Sequence, residues 1–239
     1  MRPFHPLFIL EVLPELLRYL PVTLGIMAGT VLFGGLLGFL LAVAKVKRNP
    51  VTKALANIYT YVTRCVPSIV MLFVVFYGLP ELLLSFGINI NGFSNGFFVI
   101  VTFSILYAAT ISEVFRSAYL SIDKGQREAA VSIGMTEWQA FRRILLPQSI
   151  VVALPNFTNS LVNLMKEGAL AYTIGLIDIV GQGNRIIGRY QGSYTLEVYL
   201  AMAILYWVLT VIIQKIFGLL EKKLSKGKKA CISMWFVVK

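Results

Sequence analysis

Long apolar stretches without charge most constrain what this chain can fold into. Four stretches contain no charged residue, and they lie between Arg18 and Lys45, Glu81 and Glu113, Arg143 and Lys166, and Glu197 and Lys215. A fifth, from Ala54 to Pro80, carries only Arg64. A helix of ~20 residues crosses the ~30 Å hydrocarbon core of a bilayer, and it satisfies its backbone hydrogen bonds within the segment. The sequence therefore predicts an all-α membrane protein with five transmembrane helices.

The predicted spans divide the chain into three parts. Residues 1–18 form an N-terminal interfacial segment, because five leucines of a short helix fall near one face: Leu7, Leu10, Leu13, Leu16 and Leu17. Residues 19–218 form the transmembrane domain, and residues 219–239 form a basic cytoplasmic tail. Within the first span, Gly34 and Gly38 have the G-x-x-x-G spacing of closely packed helices, with a partner in the same chain favoured over one in another chain.

The net charge of +11 raises the question of nucleic-acid binding. Most basic residues lie in alternate connections, at 45–64, 116–143 and 215–239, while the opposite side holds only Arg2, Arg18, Arg185 and Arg189. This asymmetry follows the positive-inside rule. It predicts an outside N-terminus, a cytoplasmic C-terminus and no nucleic-acid partner.

Residues for bond chemistry are scarce. His5 is the single histidine, and the two cysteines, Cys65 and Cys231, form no C-x-x-C pair. The chain offers no zinc cluster, no Ser-His-Asp triad and no G-x-x-x-x-G-K-[ST] phosphate loop. We therefore expect no enzyme activity and no bound cofactor.

The connection between the third and fourth spans has helical signals of its own. Asp123 with Gln126, and Thr136 with Gln139, have the spacing of capping boxes. Two short helices are predicted, with Gly134 ending the first in a left-handed conformation. The second, from Glu137 to about Leu145, offers an aromatic and basic surface suited to docking, formed by Trp138, Phe141, Arg142, Arg143 and Ile144.

Seven residues of this loop carry a family resemblance. Glu128, Ala129, Ala130, Gly134, Ile144, Leu146 and Pro147 follow the pattern E-A-A-x3-G-x9-I-x-L-P. This pattern resembles the cytoplasmic signature of permease subunits in binding-protein-dependent ABC importers. The flanking runs 77–80, 125–126 and 139–143 resemble the polar amino acid branch of that family.

The resemblance implies a type I ABC importer permease fold with a cytoplasmic coupling-helix loop, in the bacterial inner membrane. It implies as partners cytoplasmic ATP-binding subunits that use ATP and Mg, a second permease, identical or homologous, and an extracytoplasmic solute-binding protein. Glu128 is expected to make a charged contact with the ATPase. Two motifs depart from the family: R-G-T-P is here Arg64-Cys65-Val66-Pro67, and K-D/E-T-S-L is here Lys166-Glu167-Gly168-Ala169-Leu170.

A polar stripe marks the fourth span. Its members fall within an arc of about 120° at 100° per residue, and they are Asn156, Asn159, Ser160, Asn163, Lys166 and Glu167. Polar groups on one face of a membrane helix indicate a substrate path or a protein interior. Lys166 and Glu167 have the charges that a zwitterionic amino acid needs. Alternatively, they neutralise each other and the asparagines bond neighbouring helices.

Two rival functions have specific signatures. An ion-coupled secondary amino acid transporter typically has two related halves, whereas this chain has an odd number of predicted spans and no evident repeat. An intramembrane enzyme needs a catalytic cluster, which the sequence lacks. Residues 175–183 resemble permeases for cystine and related sulfur compounds, which narrows the predicted substrate.

Overall fold

The computed structural model describes residues 4–47 and 49–237, with side chains as far as 225. Arg2, Arg48 and the tail side chains beyond residue 225 lie outside it. The described part is helical, and its α-helices are α1 (Pro6–Leu17), α2 (Leu20–Val46), α3 (Pro50–Cys65), α4 (Ser68–Phe73), α5 (Leu79–Leu84), α6 (Asn95–Leu120), α7 (Lys124–Ser132), α8 (Glu137–Ala140), α9 (Leu146–Gly168), α10 (Ile179–Arg189) and α11 (Thr195–Val237).

Three helices are long and apolar enough to cross a membrane: α2, α6 and the Thr195–Ser225 part of α11. A fourth span results if α3 and the helical segment Ser68–Leu84 count as one. Helix α9 has 23 residues, but amide and hydroxyl side chains interrupt its apolar sequence. The predicted count of five spans therefore depends on α9.

The second predicted span is not one continuous helix. Its two parts meet at Val66 and Pro67 with a bend of 104°. Val66 has extended backbone angles, φ −89° and ψ 129°, because a residue before proline avoids the helical conformation.

Helices α2 and α6 pack closely through the predicted small-residue motif. A Cβ atom on Gly34 would lie 2.9 Å from the backbone oxygen of Ser104, and one on Gly38 would lie 3.0 Å from that of Ala108. These distances leave room only for glycine. The G-x-x-x-G spacing is therefore used within the chain, as favoured above.

Helix α1 packs on α10 and α11 with one side and leaves most of the predicted leucine face exposed. Phe8, Val12 and Leu16 are buried, whereas Leu7, Leu10 and Leu17 are exposed. Leu16 joins Phe8 and Val12 in the contact with α10 and α11, near Ile186 and Val198. Exposed leucines are what an interfacial helix presents to lipid, and the interfacial position of this segment stays a prediction. Arg189 holds α1 to α10 through Glu15, at 2.9 Å, and this bond lowers the pKa of the Glu15 carboxyl.

Two π-helical turns precede prolines. Val74–Gly78 ends two residues before Pro80, and Phe141–Leu145 ends two residues before Pro147. Proline lacks a backbone N–H and crowds the preceding helical turn, and a π-turn relieves this within a continuous helix. The predicted separate helix from Glu137 to Leu145 is wrong for this reason, since α8 continues through the second π-turn into α9.

Lys45 occupies an unexpected position. The sequence placed it among the charges of a cytoplasmic connection, but only 4% of its surface is exposed. Its ammonium lies 2.7 Å from Glu113 of α6. Lys45 therefore belongs to the interior of the bundle rather than to the surface charge that predicts topology.

Candidate functional site

A polar cavity lies where the bend after α3 meets α6 and α9. Its volume is about 210 Å³. The polar residues that line it are Thr63, Arg64, Ser68, Tyr107, Thr110, Ser160, Asn163 and Glu167. The break at Val66 and Pro67 places side chains of both halves of the bent pair in its wall. The cavity is therefore a consequence of the interrupted helix.

The cavity wall contains one cation and one anion, Arg64 from α3 and Glu167 from α9. Ser68, at the start of α4, lines the same cavity as Glu167. Lys166 is exposed outside the cavity. Among the described residues it forms no ion pair with Glu167, so mutual neutralisation has no support from the geometry.

The predicted stripe on α9 is divided. Ser160, Asn163 and Glu167 line the cavity, whereas Asn156, Asn159 and Lys166 are exposed away from it. Rotation at 100° per residue places Asn159 and Lys166 at one edge of the arc. Asn156 is on the same face of α9 as the cavity residues, but it lies one turn before Ser160 and does not reach the cavity.

Sequence reasoning missed the contribution of α3 and α6. By its position Arg64 belongs to the basic residues that predict topology, and Tyr107 and Thr110 lie in an apolar run without a functional pattern. The two family motifs that contain departures were the available signal. Arg64 and Glu167, which match those motifs, and Val66, which departs from the first, all line the same cavity. Val66 makes part of that wall apolar.

The loop after α6 contains a helix with a defined end. Helix α7 carries Glu128, Ala129 and Ala130, of which only Ala130 is buried. Gly134 has φ +90°, its N–H donates to the Val131 carbonyl, and the next N–H donates to the Ala130 carbonyl. This bonding is a Schellman motif. The predicted left-handed glycine is confirmed.

Side-chain bonds fix the angle between α7 and the segment that follows. The Arg127 guanidinium donates to both carboxylate oxygens of Glu137, each at 2.9 Å. The capping box at Thr136 forms with Gln139 as predicted. At Asp123 the box does not form. The carboxylate caps α7 through the Gly125 N–H, and the Gln126 side chain contacts Gln148 of α9.

The outer surface of the loop is apolar as well as charged. Trp138 is 65% exposed and stacks on Phe141, which is partly buried beside Tyr119. Ile133 is 76% exposed, although no motif in the sequence marks it. The remaining predicted docking residues divide into exposed and partly buried ones: Arg142, Arg143 and Pro147 are exposed, and Ile144 and Leu146 are partly buried.

Residues 175–183 have a local structural role. Asp178 caps α10, and its carboxylate accepts from the Gly181 N–H at 2.8 Å. A Cβ atom on Gly181 would lie 2.6 Å from the Leu176 carbonyl oxygen. The start of α10 therefore accounts for Gly181 and for one carboxylate oxygen of Asp178.

Comparison with known proteins supports the family resemblance of the loop. The sequence family described as "Binding-protein-dependent transport system inner membrane component" matches residues 34–226. The chain is 37% identical to the L-cystine transport system permease protein TcyL of Bacillus subtilis (strain 168), over 94% of this chain and 93% of that protein. It is 34% identical to the arginine transport system permease protein ArtQ of the same organism, over 90% and 94% of the two chains.

Solved structures have the same fold. An amino acid ABC transporter crystallised with histidines superimposes with a TM-score of 0.79 and 29% identity. The match covers 93% of this chain and 100% of that one. The inward-facing MetNI methionine ABC transporter has a TM-score of 0.69 at 20% identity, over 87% and 95% of the two chains, and shows likeness of fold alone. The architecture is that of a type I ABC importer permease. The chain therefore belongs to the family of binding-protein-dependent transport system inner membrane components, among its amino-acid permeases.

Proposed function

We propose that this chain is the membrane subunit through which an ATP-driven importer carries a polar amino acid into a bacterial cell. The observation that carries the proposal is the cavity between α3, α6 and α9, whose lining includes both Arg64 and Glu167. A cavity with one fixed cation and one fixed anion suits a zwitterion better than an ion of a single charge.

The cavity residues can each take a part in binding an α-amino acid. The Arg64 guanidinium suits the carboxylate, because its planar donors match two carboxylate oxygens. Glu167 suits the ammonium, and the hydroxyls of Ser68 and Ser160 with the amide of Asn163 offer neutral hydrogen bonds. Binding both charges at once removes the penalty of leaving either one unpaired in a membrane interior.

The cytoplasmic loop is proposed to receive the driving force. Exposed Glu128, Ile133 and Trp138 offer a charge and two apolar anchors to a cytoplasmic ATPase, which alone uses ATP and Mg. This chain binds no cofactor and performs no bond chemistry. A second permease, identical or homologous, and an extracytoplasmic solute-binding protein complete the transporter.

Placement in the bacterial inner membrane completes the proposal. Helix α9 crosses the membrane as a fourth span despite its polar residues, which gives five spans with the N-terminus outside and the C-terminus in the cytoplasm. Helix α1 lies at the outer interface as part of segment 1–18. Residues 19–218 form the permease domain, and residues 219–239 form its cytoplasmic tail.

A narrower proposal names cystine or a related sulfur compound as the substrate. It is supported by the relative TcyL, a permease for L-cystine by its name. The resemblance at residues 175–183 adds little, because Asp178 and Gly181 there shape the start of α10. Binding of radiolabelled amino acids to the cognate solute-binding protein would identify the substrate directly.

Reconstitution tests the function. The complete transporter in vesicles is expected to take up the amino acid only when ATP and the ATPase are present. Uptake driven by a proton or sodium gradient without the ATPase would contradict the proposal and favour an ion-coupled secondary transporter.

A further inference from the structure

A buried ammonium joins three helices close to the cavity. Lys45 of α2 donates to the Thr60 hydroxyl of α3 at 2.6 Å. It also donates to the Ser112 hydroxyl at 2.8 Å and to the Glu113 carboxylate at 2.7 Å, both on α6. These bonds use all three ammonium hydrogens. We call these residues, with Arg116, the Lys45 cluster.

Glu113 is shared between two cations. One carboxylate oxygen accepts from Lys45, and the other lies 2.7 Å from the Arg116 guanidinium. Arg116 is partly exposed, whereas the Lys45 side chain is fully buried. Arg116 therefore still balances Glu113 if Lys45 releases it, whereas the fully buried Lys45 ammonium is not accessible to solvent that could take the place of Glu113.

The Lys45 cluster lies one helical turn from the cavity on α3 and on α6. Thr60 precedes Thr63 and Arg64 on α3, and Glu113 follows Thr110 on α6; those three neighbours line the cavity. A second bond between the same helices runs from the Tyr59 hydroxyl to the Ile105 carbonyl at 2.9 Å. Because residues of both helices line the cavity, the distance between α3 and α6 sets the width of the cavity near Arg64 and Thr110.

We propose that Lys45 is a positioning residue for the amino-acid site, which it shapes by holding α3 against α6 through Thr60. The inference rests on the proposed function, since it concerns the same cavity. An isolated ammonium in a membrane interior is unfavourable, so its three acceptors must stay together for the charge to remain buried. This requirement keeps Arg64 at a fixed distance from the α6 wall without Lys45 touching the substrate.

The sharpest test removes one acceptor and leaves the ion pair intact. Thr60→Val is nearly isosteric and frees α3 from Lys45. Thr52→Val is the matched control, because it also removes a hydroxyl bonded to a carbonyl of the preceding turn, but at an exposed position of α3. In the reconstituted complete transporter, Thr60→Val is expected to raise KM for the amino acid about tenfold, the effect of one hydrogen bond to a charged group. The maximal rate per assembled complex, and both parameters for Thr52→Val, should stay unchanged.

Further variants separate positioning from stability. Thr60→Ser keeps the hydroxyl and should restore the original KM. If Thr60→Val does not assemble, Lys45→Met combined with Glu113→Gln removes the buried charges together and should raise KM in the same way. An assembled variant of either kind with reduced thermal stability but unchanged KM would show that the cluster is only structural and would overturn the proposal.

A separate readout covers failure of the proposed function. Cys65 is exposed at the end of α3, so its reaction rate with a water-soluble maleimide, in a Cys231→Ser background, reports the position of that end. Thr60→Val should change this rate relative to Thr52→Val even if no amino acid is transported. An equal rate in the two variants would refute the positioning role by itself.

Discussion

At the residue scale, a charged side chain lines the cavity because of the direction in which it points in the fold, and its sequence neighbours do not predict this. Lys166 and Glu167 are adjacent in the chain, yet only Glu167 lines the cavity. Adjacent residues on a helix point about 100° apart, so an anion and a cation next to each other rarely serve the same pocket. Arg64, about a hundred residues earlier in the chain, provides the cation instead.

The first prediction concerns Glu167. Glu167→Gln keeps the size of the side chain and removes the charge proposed to bind the substrate ammonium. We expect productive binding to weaken by about ten- to a hundredfold, as for a lost charge-assisted hydrogen bond of ~1.5–3 kcal/mol, with normal assembly of the complex. The measurement is KM for uptake in reconstituted vesicles.

Lys166→Gln is the control for this change, since Lys166 lies outside the cavity and is not paired with Glu167. Its uptake should be close to normal. Normal uptake in Glu167→Gln as well would place substrate binding in the second permease and reject the role of Glu167 here.

At the element scale, some helices are joined by contacts that leave no room for a larger side chain or for a change of angle. On α2, Gly34 faces the backbone of α6, whereas a Cβ on its neighbour Gly35 would meet nothing within 4 Å. On the cytoplasmic loop, α7 is fixed at one end by Gly134 and along its side by Arg127. A movement of α2 relative to α6, or of α7 in the loop, therefore has to break these contacts.

The pair of glycines on α2 provides the second prediction. Gly34→Ala forces α2 and α6 apart and should lower the stability of the purified protein by about 1–3 kcal/mol, the range for overpacked cores. Gly35→Ala should leave it unchanged or slightly raised, because alanine favours helix over glycine. Thermal unfolding in detergent measures both, and equal midpoints would contradict the close contact.

The third prediction concerns Gly134, at φ +90°. Gly134→Val places a β-branched residue in a left-handed conformation, which costs on the order of 1–3 kcal/mol and should reorient α7. The variant is expected to co-purify with less ATPase and to transport more slowly. The control is Gly92→Val, in the connection between α5 and α6, where a Cβ would meet nothing within 4 Å. Normal co-purification and transport by Gly134→Val would reject the coupling role of the loop.

At the scale of the whole molecule, the sequence predicted what depends on local pattern. The apolar helices, the loop motif and the conformation of Gly134 follow from residues within a few turns of one another. The cavity does not, because it needs Arg64 and Glu167 to meet across the fold. Likewise, the burial of Lys45 depends on partners in α3 and α6, and no periodicity marks a lysine at the end of an apolar run as interior.

The last prediction tests the orientation of the chain, which the distribution of basic residues implies. Asn91 and Ser132 are both exposed in the structure, so a cysteine at either position is sterically open to reagents. In a background with Cys65 and Cys231 replaced by serine, Asn91→Cys should react with an impermeant thiol reagent applied to intact cells. Ser132→Cys should react only after the membrane is permeabilised, because its connection carries the basic residues that remain in the cytoplasm. Labelling of Ser132→Cys alone in intact cells would invert the topology and place the coupling loop on the side where no ATPase is available.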